Sequence, residues 1–172
     1  MVLRGNSGSG KSTVAQGLRD ASSDTVVWIE QDYVRRTVLA ETGGEQQPST
    51  AVMIETMARC ALDAGYLVVI DGILDAKRYG AMLQRLHETH PGRAAYYYFS
   101  IPFDETVRRH ATRPLADVVS PEEMRDWYRQ ADVLGFVDEQ VVDTDATAQD
   151  TVERIIEDCS SLRDAGRRSG AG

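Results

Sequence analysis

The sequence predicts an α/β fold in which helices cover both faces of a parallel β-sheet. Short runs rich in β-branched and aromatic residues alternate with longer amphipathic helical patterns, as in right-handed β–α–β crossovers. The strand runs are continuously apolar, which is typical of strands buried on both faces. At 172 residues, with 42% hydrophobic residues and no internal repeat, the chain is expected to form one domain at residues 1–162, followed by a disordered tail at 163–172.

Five strands are predicted from the apolar runs, at residues 2–3, 25–29, 66–70, 94–101 and 140–142. Helix ends are marked by capping residues. Ser120, followed by Pro121 and Glu123, has the pattern of a capping box and predicts a helix start. Thr147 and Asp150 resemble a second such start. Gly65 is expected to end a helix whose apolar face carries Met53, Met57, Cys60, Ala61 and Ala64.

The charge balance limits the possible partners. Twenty-seven acidic residues against 19 basic ones give a net charge of −8 and a pI of about 4.9. Binding to a nucleic-acid backbone or an anionic membrane rests on a cationic surface, so long nucleic acid and membranes are not expected as partners. The sequence has no apolar run of membrane-spanning length and no signal peptide, which predicts a cytoplasmic protein. No feature indicates an oligomeric state.

The two cysteines, Cys60 and Cys159, lie far apart in the sequence. Their spacing suits neither a disulfide framework nor a zinc site, so both are expected to be small core residues.

Residues 5–12 read GNSGSGKS, which fits the pattern G-x-x-x-x-G-K-[ST] between a strand and a helix. Glycines at this spacing let successive backbone N–H groups point at phosphate oxygens, and the helix N-terminus adds positive potential. Lys11, one of only two lysines in the chain, is expected to reach the β- and γ-phosphates of ATP, and Ser12 to bind Mg²⁺. A flexible glycine turn is the alternative interpretation. The residues predicted to bind the nucleotide are Gly5, Asn6, Ser7, Gly8, Ser9, Gly10, Lys11, Ser12 and Thr13.

Other features separate the classes of phosphate-binding enzyme. The other lysine, Lys77, does not lie in the [NT]-K-x-D segment that GTPases use for guanine. Asp71 ends an apolar run but is followed by Gly72, whereas a hydrolysing ATPase typically has a water-polarising glutamate there. These observations favour a kinase. Asp71 is expected to bind Mg²⁺ or substrate, with a strand-end turn residue as the alternative.

Phosphoryl transfer to an alcohol requires a base near the acceptor hydroxyl and positive charge near the transferred group. Asp32 follows the second predicted strand and is the first candidate for the base; its alternative role is a helix cap. Glu30 is a weaker candidate. Arg109 and Arg113 lie four residues apart, hence on one helix face, and are predicted to form an arginine lid that stabilises the transition state. A solvated helix end would explain the same arginines.

Taken together, these motifs resemble the small P-loop kinases, which include gluconate and shikimate kinases, adenylylsulfate kinase, chloramphenicol phosphotransferase and the zeta-toxin kinases. The resemblance covers residues 1 to about 160, and the position of Asp32 is most similar to the last two members. It implies a three-layer P-loop NTPase fold with a five-stranded parallel sheet of order 2-3-1-4-5. It also implies Asp32 as base, Arg109 and Arg113 as lid arginines, and residues 143–147, including Thr144, beside the adenine of ATP.

The sequence therefore predicts an ATP- and Mg²⁺-dependent kinase that phosphorylates a hydroxyl group of a small molecule. Asp32, Lys11, Arg109 and Arg113 are the expected catalytic residues, and Ser12 and Asp71 the expected metal ligands. A nucleoside or polynucleotide 5′-hydroxyl kinase is one alternative. An ATP-binding regulatory module without phosphate transfer is another. No residue identifies the acceptor.

Overall fold

A computed structural model of the chain describes residues 1–41, 48–90, 94–111 and 120–169. Its centre is a five-stranded, all-parallel sheet of order β2-β3-β1-β4-β5, which confirms the predicted order. The strands are β1 (Val2–Gly5), β2 (Val26–Glu30), β3 (Leu67–Gly72), β4 (Tyr96–Phe99) and β5 (Gln140–Val142). β1 is longer than its two predicted residues and pairs with both β3 and β4.

Helices and sheet form three layers with a hydrophobic core on each face. The helices are α1 (Lys11–Ala21), α2 (Gln31–Tyr33), α3 (Pro48–Asp63), α4 (Ala76–Thr89), α5 (Phe103–His110), α6 (Pro121–Trp127) and α7 (Ala148–Ser169), and a π-helical turn, Val34–Val38, follows α2. On one face, Val14 of α1 and Ile155 of α7 pack with Leu3 of the sheet. On the other, Ile54 of α3 and Leu83 of α4 pack in the second core. The domain boundary at residue 162 stays a prediction.

The predicted helix ends are confirmed. Ser120 and Glu123 form a reciprocal capping box with proline in the first turn of α6. Thr147 and Asp150 each accept a hydrogen bond from the other's backbone N–H before α7. Gly65 has a φ of +82°, the left-handed conformation that ends helices. Helix α4 is an addition to the predicted elements; the Asp75 side chain caps it by accepting from Arg78 N.

The prediction for Cys60 is wrong, because its side chain is exposed, while Cys159 packs partly buried against the α1–α7 core. The reason is the rotation of α3. Its buried positions are Thr50, Ile54, Ala58 and Ala61. Of the predicted stripe at 53, 57, 60, 61 and 64 only Ala61 is among them, and the residues at 53, 57 and 60 each lie one position before a buried one. One residue is about 100° of helix rotation, which turns the predicted stripe toward the helix flank. Within the described ranges, no helix has both the length and the apolar character to cross a membrane.

Candidate functional site

The phosphate-binding motif lies where the sequence predicts it, between β1 and α1 at the carboxyl edge of the sheet. Gly8 has a φ of +75°, and a Cβ atom there would lie 2.5 Å from the carbonyl oxygen of Thr106. The loop therefore requires glycine both for its backbone conformation and for its close approach to α5. Lys11 is buried and donates hydrogen bonds from Nζ to the Asn6 carbonyl at 2.7 Å and to Ser9 Oγ at 3.1 Å. Its ammonium group thus lies inside the curl of the loop.

Ser12 and Asp71 are brought together by the first helix and the third strand. The Ser12 hydroxyl donates a hydrogen bond of 2.8 Å to Asp71 Oδ2. Asp71 has no exposed surface, and burial is the main cause that raises the pKa of its carboxyl group; the hydrogen bond from Ser12 and the charge of Lys11 act in the opposite direction. Two hard oxygen groups therefore meet beside the phosphate loop.

Trp28 is a third member of this cluster that the sequence analysis missed. Its indole Nε1–H donates a hydrogen bond of 3.1 Å to Asp71 Oδ1. An apolar strand run gives no signal for such a contact, because Trp28 and Asp71 are 43 residues apart in sequence.

The two candidate bases differ in their surroundings. Asp32 lies in α2 with its side chain 46% exposed, and its Oδ1 accepts from Nε of Arg36 at 2.7 Å. Glu30 ends β2 directly opposite Asp71 in the strand register. Burial raises the pKa of Glu30, and the neighbouring charges of Asp71 and Asp32 raise it further. Three carboxylates therefore lie within electrostatic reach of one another at the ends of β2 and β3.

Arg109 reaches the phosphate loop from α5. Its Nη1 is 3.4 Å from the Ser9 carbonyl oxygen, and its Nε donates to Glu105 at 2.6 Å. The other predicted lid residue, Arg113, lies outside the described residues. Thr144 is exposed and lies two residues after β5 ends, at the carboxyl edge of the sheet; Thr13 is exposed on α1.

The other side of the loop is tied to the segment that follows α6. The Asn6 side chain donates to the Arg129 carbonyl at 2.7 Å and accepts from the Arg129 N–H at 2.8 Å. Arg4, only 1% exposed, forms ion pairs with Asp132 and, at 2.8 Å, with Glu139. The sequence signal for this network is a single arginine in an otherwise apolar strand, which does not reveal the partners.

A divalent ion at this site would have few protein ligands. Among the described residues, no group of three or more His, Cys, Asp or Glu side chains could hold a metal ion. The oxygen atoms of Ser12 and Asp71 nevertheless fit Mg²⁺, which commonly takes one or two protein oxygen ligands and completes its octahedron with substrate phosphates and water.

A comparison with protein families agrees with this geometry. A family model described as an AAA domain matches residues 1–137. The chain belongs to this family. As an AAA-domain protein with the sheet order observed here, it has the α/β P-loop fold. A search of curated proteins found no match.

Several solved structures share the fold over nearly the full chain. The Mycobacterium tuberculosis APS kinase CysC, in complex with AMPPNP and APS, is 17% identical with a TM-score of 0.73, covering 92% of this chain and 96% of that one. A gluconokinase from Sinorhizobium meliloti 1021 is 17% identical with a TM-score of 0.65, covering 98% and 95%. An unliganded sugar kinase from Janibacter sp. HTCC2649 is 20% identical with a TM-score of 0.62, covering 95% and 92%. The AAA-domain protein thus shares its fold with three kinases.

Proposed function

We propose that this protein is an ATP- and Mg²⁺-dependent kinase that transfers the γ-phosphate of ATP to a hydroxyl group of a small molecule. The observation that carries the proposal is the 2.8 Å contact between Ser12 and Asp71 beside the buried Lys11. A nucleotide phosphate chain in the loop would have an ammonium group within the curl and a pair of metal-binding oxygens at its side. The names of the structural neighbours, an APS kinase, a gluconokinase and a sugar kinase, favour the same class.

Each residue has a distinct part in the proposed reaction. Lys11 and the N–H groups of the loop hold the phosphates. Ser12 and Asp71 would hold Mg²⁺, which when bound neutralises charge on the β- and γ-phosphates. Thr144 is proposed to lie beside the adenine.

The chemical step needs a base and positive charge. The Asp32 carboxylate takes the proton of the acceptor hydroxyl while the acceptor oxygen forms a bond to the γ-phosphorus. The bond from that phosphorus to the β–γ bridging oxygen breaks, and ADP leaves. Arg109, with Arg113, stabilises the charge on the transferred group. The partial exposure of Asp32 supports this assignment, because a base must be accessible to the acceptor.

The central experiment measures ADP formation from Mg²⁺·ATP with a panel of sugars, sugar acids, nucleosides and hydroxylated antibiotics. Lys11→Ala is expected to abolish turnover. Lys77→Ala is the matched control, because it removes the other lysine from an exposed position of α4 and should leave the rate unchanged. A Lys11→Ala variant that phosphorylates an acceptor at the normal rate would refute the proposal.

A second experiment tests the base. Asp32→Asn should abolish transfer while leaving the affinity for AMPPNP, measured by calorimetry, within about twofold of wild type, because Asp32 acts on the acceptor and not on the nucleotide. Normal turnover by this variant would exclude Asp32 as the base. Glu30→Gln is the companion variant that tests the second carboxylate.

The rival functions give different results in the same assays. A polynucleotide kinase should lose activity steeply with added salt, whereas a small uncharged acceptor should give a shallow dependence. A regulatory module should bind ATP and transfer phosphate to no member of the panel.

A further inference from the structure

We propose that Trp28 is a positioning residue that fixes the metal-binding carboxylate of Asp71 through a hydrogen bond from an uncharged donor, and thereby sets the affinity of the site for Mg²⁺·ATP. This inference rests on the proposed function, since it assigns Mg²⁺ to Ser12 and Asp71. Trp28 itself is not expected to touch the nucleotide or the acceptor.

The strand register places the indole beside the carboxylate. Trp28 is opposite Val69, and Glu30 is opposite Asp71, in the parallel pairing of β2 with β3. Side chains two residues apart on a strand point to the same face, so Trp28 and Asp71 are diagonal neighbours on the α1 face of the sheet. The 3.1 Å hydrogen bond from Nε1 to Oδ1 therefore joins two side chains that the sheet register places side by side.

The two oxygens of Asp71 have different donors. Oδ1 accepts from Trp28, whereas Oδ2 accepts from the Ser12 hydroxyl on α1. The carboxylate is thus held between β2 and α1, and rotation about its terminal bond would break both contacts. A fully buried carboxylate needs such partners, because an unsatisfied charged group in the interior is costly.

The neutrality of the indole matters for a metal site. A lysine or arginine at the position of Trp28 would orient the carboxylate equally well, but it would neutralise the charge that attracts the cation. The indole N–H has one donor, no charge and a direction set by the ring. That ring packs against the core cluster that contains Leu3 and Val69, so the donor direction is fixed before any ligand binds. Protein side chains already held in their binding geometry bind a metal ion more tightly, because less conformational entropy is lost on binding.

The decisive measurement separates the metal-dependent part of nucleotide affinity from the rest. AMPPNP is titrated calorimetrically into wild type and Trp28→Phe, once with Mg²⁺ and once with EDTA. Phenylalanine keeps an aromatic ring and removes the N–H. We expect Trp28→Phe to weaken Mg²⁺·AMPPNP binding roughly tenfold, the scale of one hydrogen bond to a charged group, and to leave metal-free AMPPNP binding within about twofold.

The matched control is Trp127→Phe, at the last residue of α6, which should leave both affinities unchanged. Equal weakening by Trp28→Phe with and without Mg²⁺ would mean that Trp28 only packs the core, and an unchanged Mg²⁺·AMPPNP affinity would mean that the hydrogen bond has no role in metal binding. Either result overturns the inference.

A second readout keeps Trp28 in place and so does not depend on how the Trp28→Phe variant folds. The chain has two tryptophans, hence Trp127→Phe leaves Trp28 as the only indole fluorophore. Its emission should change when Mg²⁺ is added to the AMPPNP-bound protein, because the cation alters the field at Asp71. If calorimetry shows that Mg²⁺ binds but the Trp28 emission does not change, the proposed role of Trp28 at the metal site is contradicted. A Trp28-dependent metal affinity in a protein that phosphorylates no acceptor would instead refute the kinase function and leave this inference standing.

Discussion

Ser12 Oγ donates a 2.8 Å hydrogen bond to Asp71 Oδ2 across 59 residues of sequence. The contact joins the first turn of α1 to the end of β3, and it places the hydroxyl group of the phosphate loop against a carboxylate with no exposed surface. Burial raises the pKa of this carboxyl group, so folding by itself disfavours its charged form. A buried carboxyl group whose pKa is raised in this way, beside a phosphate-binding loop, is a candidate for function.

Asp71→Asn should therefore separate function from stability. The amide has the same shape without the charge, so we expect phosphate transfer to fall roughly 100-fold or more, because the charge stabilisation that a metal ion supplies is worth several kcal/mol. The free energy of unfolding, measured in urea, should stay the same or increase, since the desolvation cost of the charge disappears. Asp20→Asn, on the exposed surface of α1, is the control and should change neither quantity. A large loss of stability in Asp71→Asn would show that the carboxylate is structural.

The phosphate loop should tolerate no side chain at Gly8. Alanine there would adopt a left-handed conformation at a cost of about 1–2 kcal/mol. Its Cβ atom would also lie 2.5 Å from the Thr106 carbonyl oxygen, and α5 would have to move to relieve this clash. We expect Gly8→Ala to reduce both the free energy of unfolding and the affinity for AMPPNP. Gly80→Ala is the matched control, because a Cβ there meets nothing within 4 Å and alanine favours the helix by roughly 0.5–1 kcal/mol. Equal effects of the two substitutions would contradict the geometry.

The buried Arg4 network should be strongly cooperative. Arg4→Met leaves the carboxylates of Asp132 and Glu139 without their cation, and such a loss typically costs about 3–5 kcal/mol. Arg85→Met breaks the 2.6 Å ion pair with Glu55 at the surface and should lower the free energy of unfolding by less than about 1 kcal/mol.

A double-mutant cycle sharpens the Arg4 prediction. Glu139→Gln should destabilise the wild-type protein, because it weakens an ion pair. The same substitution should stabilise Arg4→Met, because it removes a charge that has lost its partner. Urea unfolding of the four proteins measures the coupling free energy between Arg4 and Glu139. If the changes in unfolding free energy of the two single variants add up to that of the double variant, Arg4 and Glu139 do not interact.

How much of the site the sequence predicts depends on how far apart in the chain the contacting residues lie. The phosphate loop follows from a local pattern of glycines, and the helix starts at Ser120 and Thr147 follow from residues three apart. The sheet order came from the family resemblance rather than from periodicity. The Arg4 network joins residues up to 135 positions apart, and the contact of Trp28 with Asp71 joins two strands. Neither leaves a local signal. Periodicity predicts a buried Cys60 because the apolar pattern of α3 differs from the buried face by a single residue, a difference that periodicity alone does not resolve.

Two adjacent arginines on α5 give the sharpest test of the proposed lid. Arg108 and Arg109 both pair with Glu105, and their hydrogen bonds lower the pKa of that half-buried carboxyl group to about 2, which keeps it ionised at neutral pH. Only Arg109 has a described contact with the phosphate loop, at Ser9, whereas Arg108 is 74% exposed. We expect Arg109→Ala to lower kcat by about 10³-fold, as for other arginines that stabilise phosphoryl transfer, while Arg108→Ala lowers it less than about threefold. Steady-state kinetics with a phosphorylated acceptor measures both. Similar losses in the two variants would mean that α5 contributes only general positive charge.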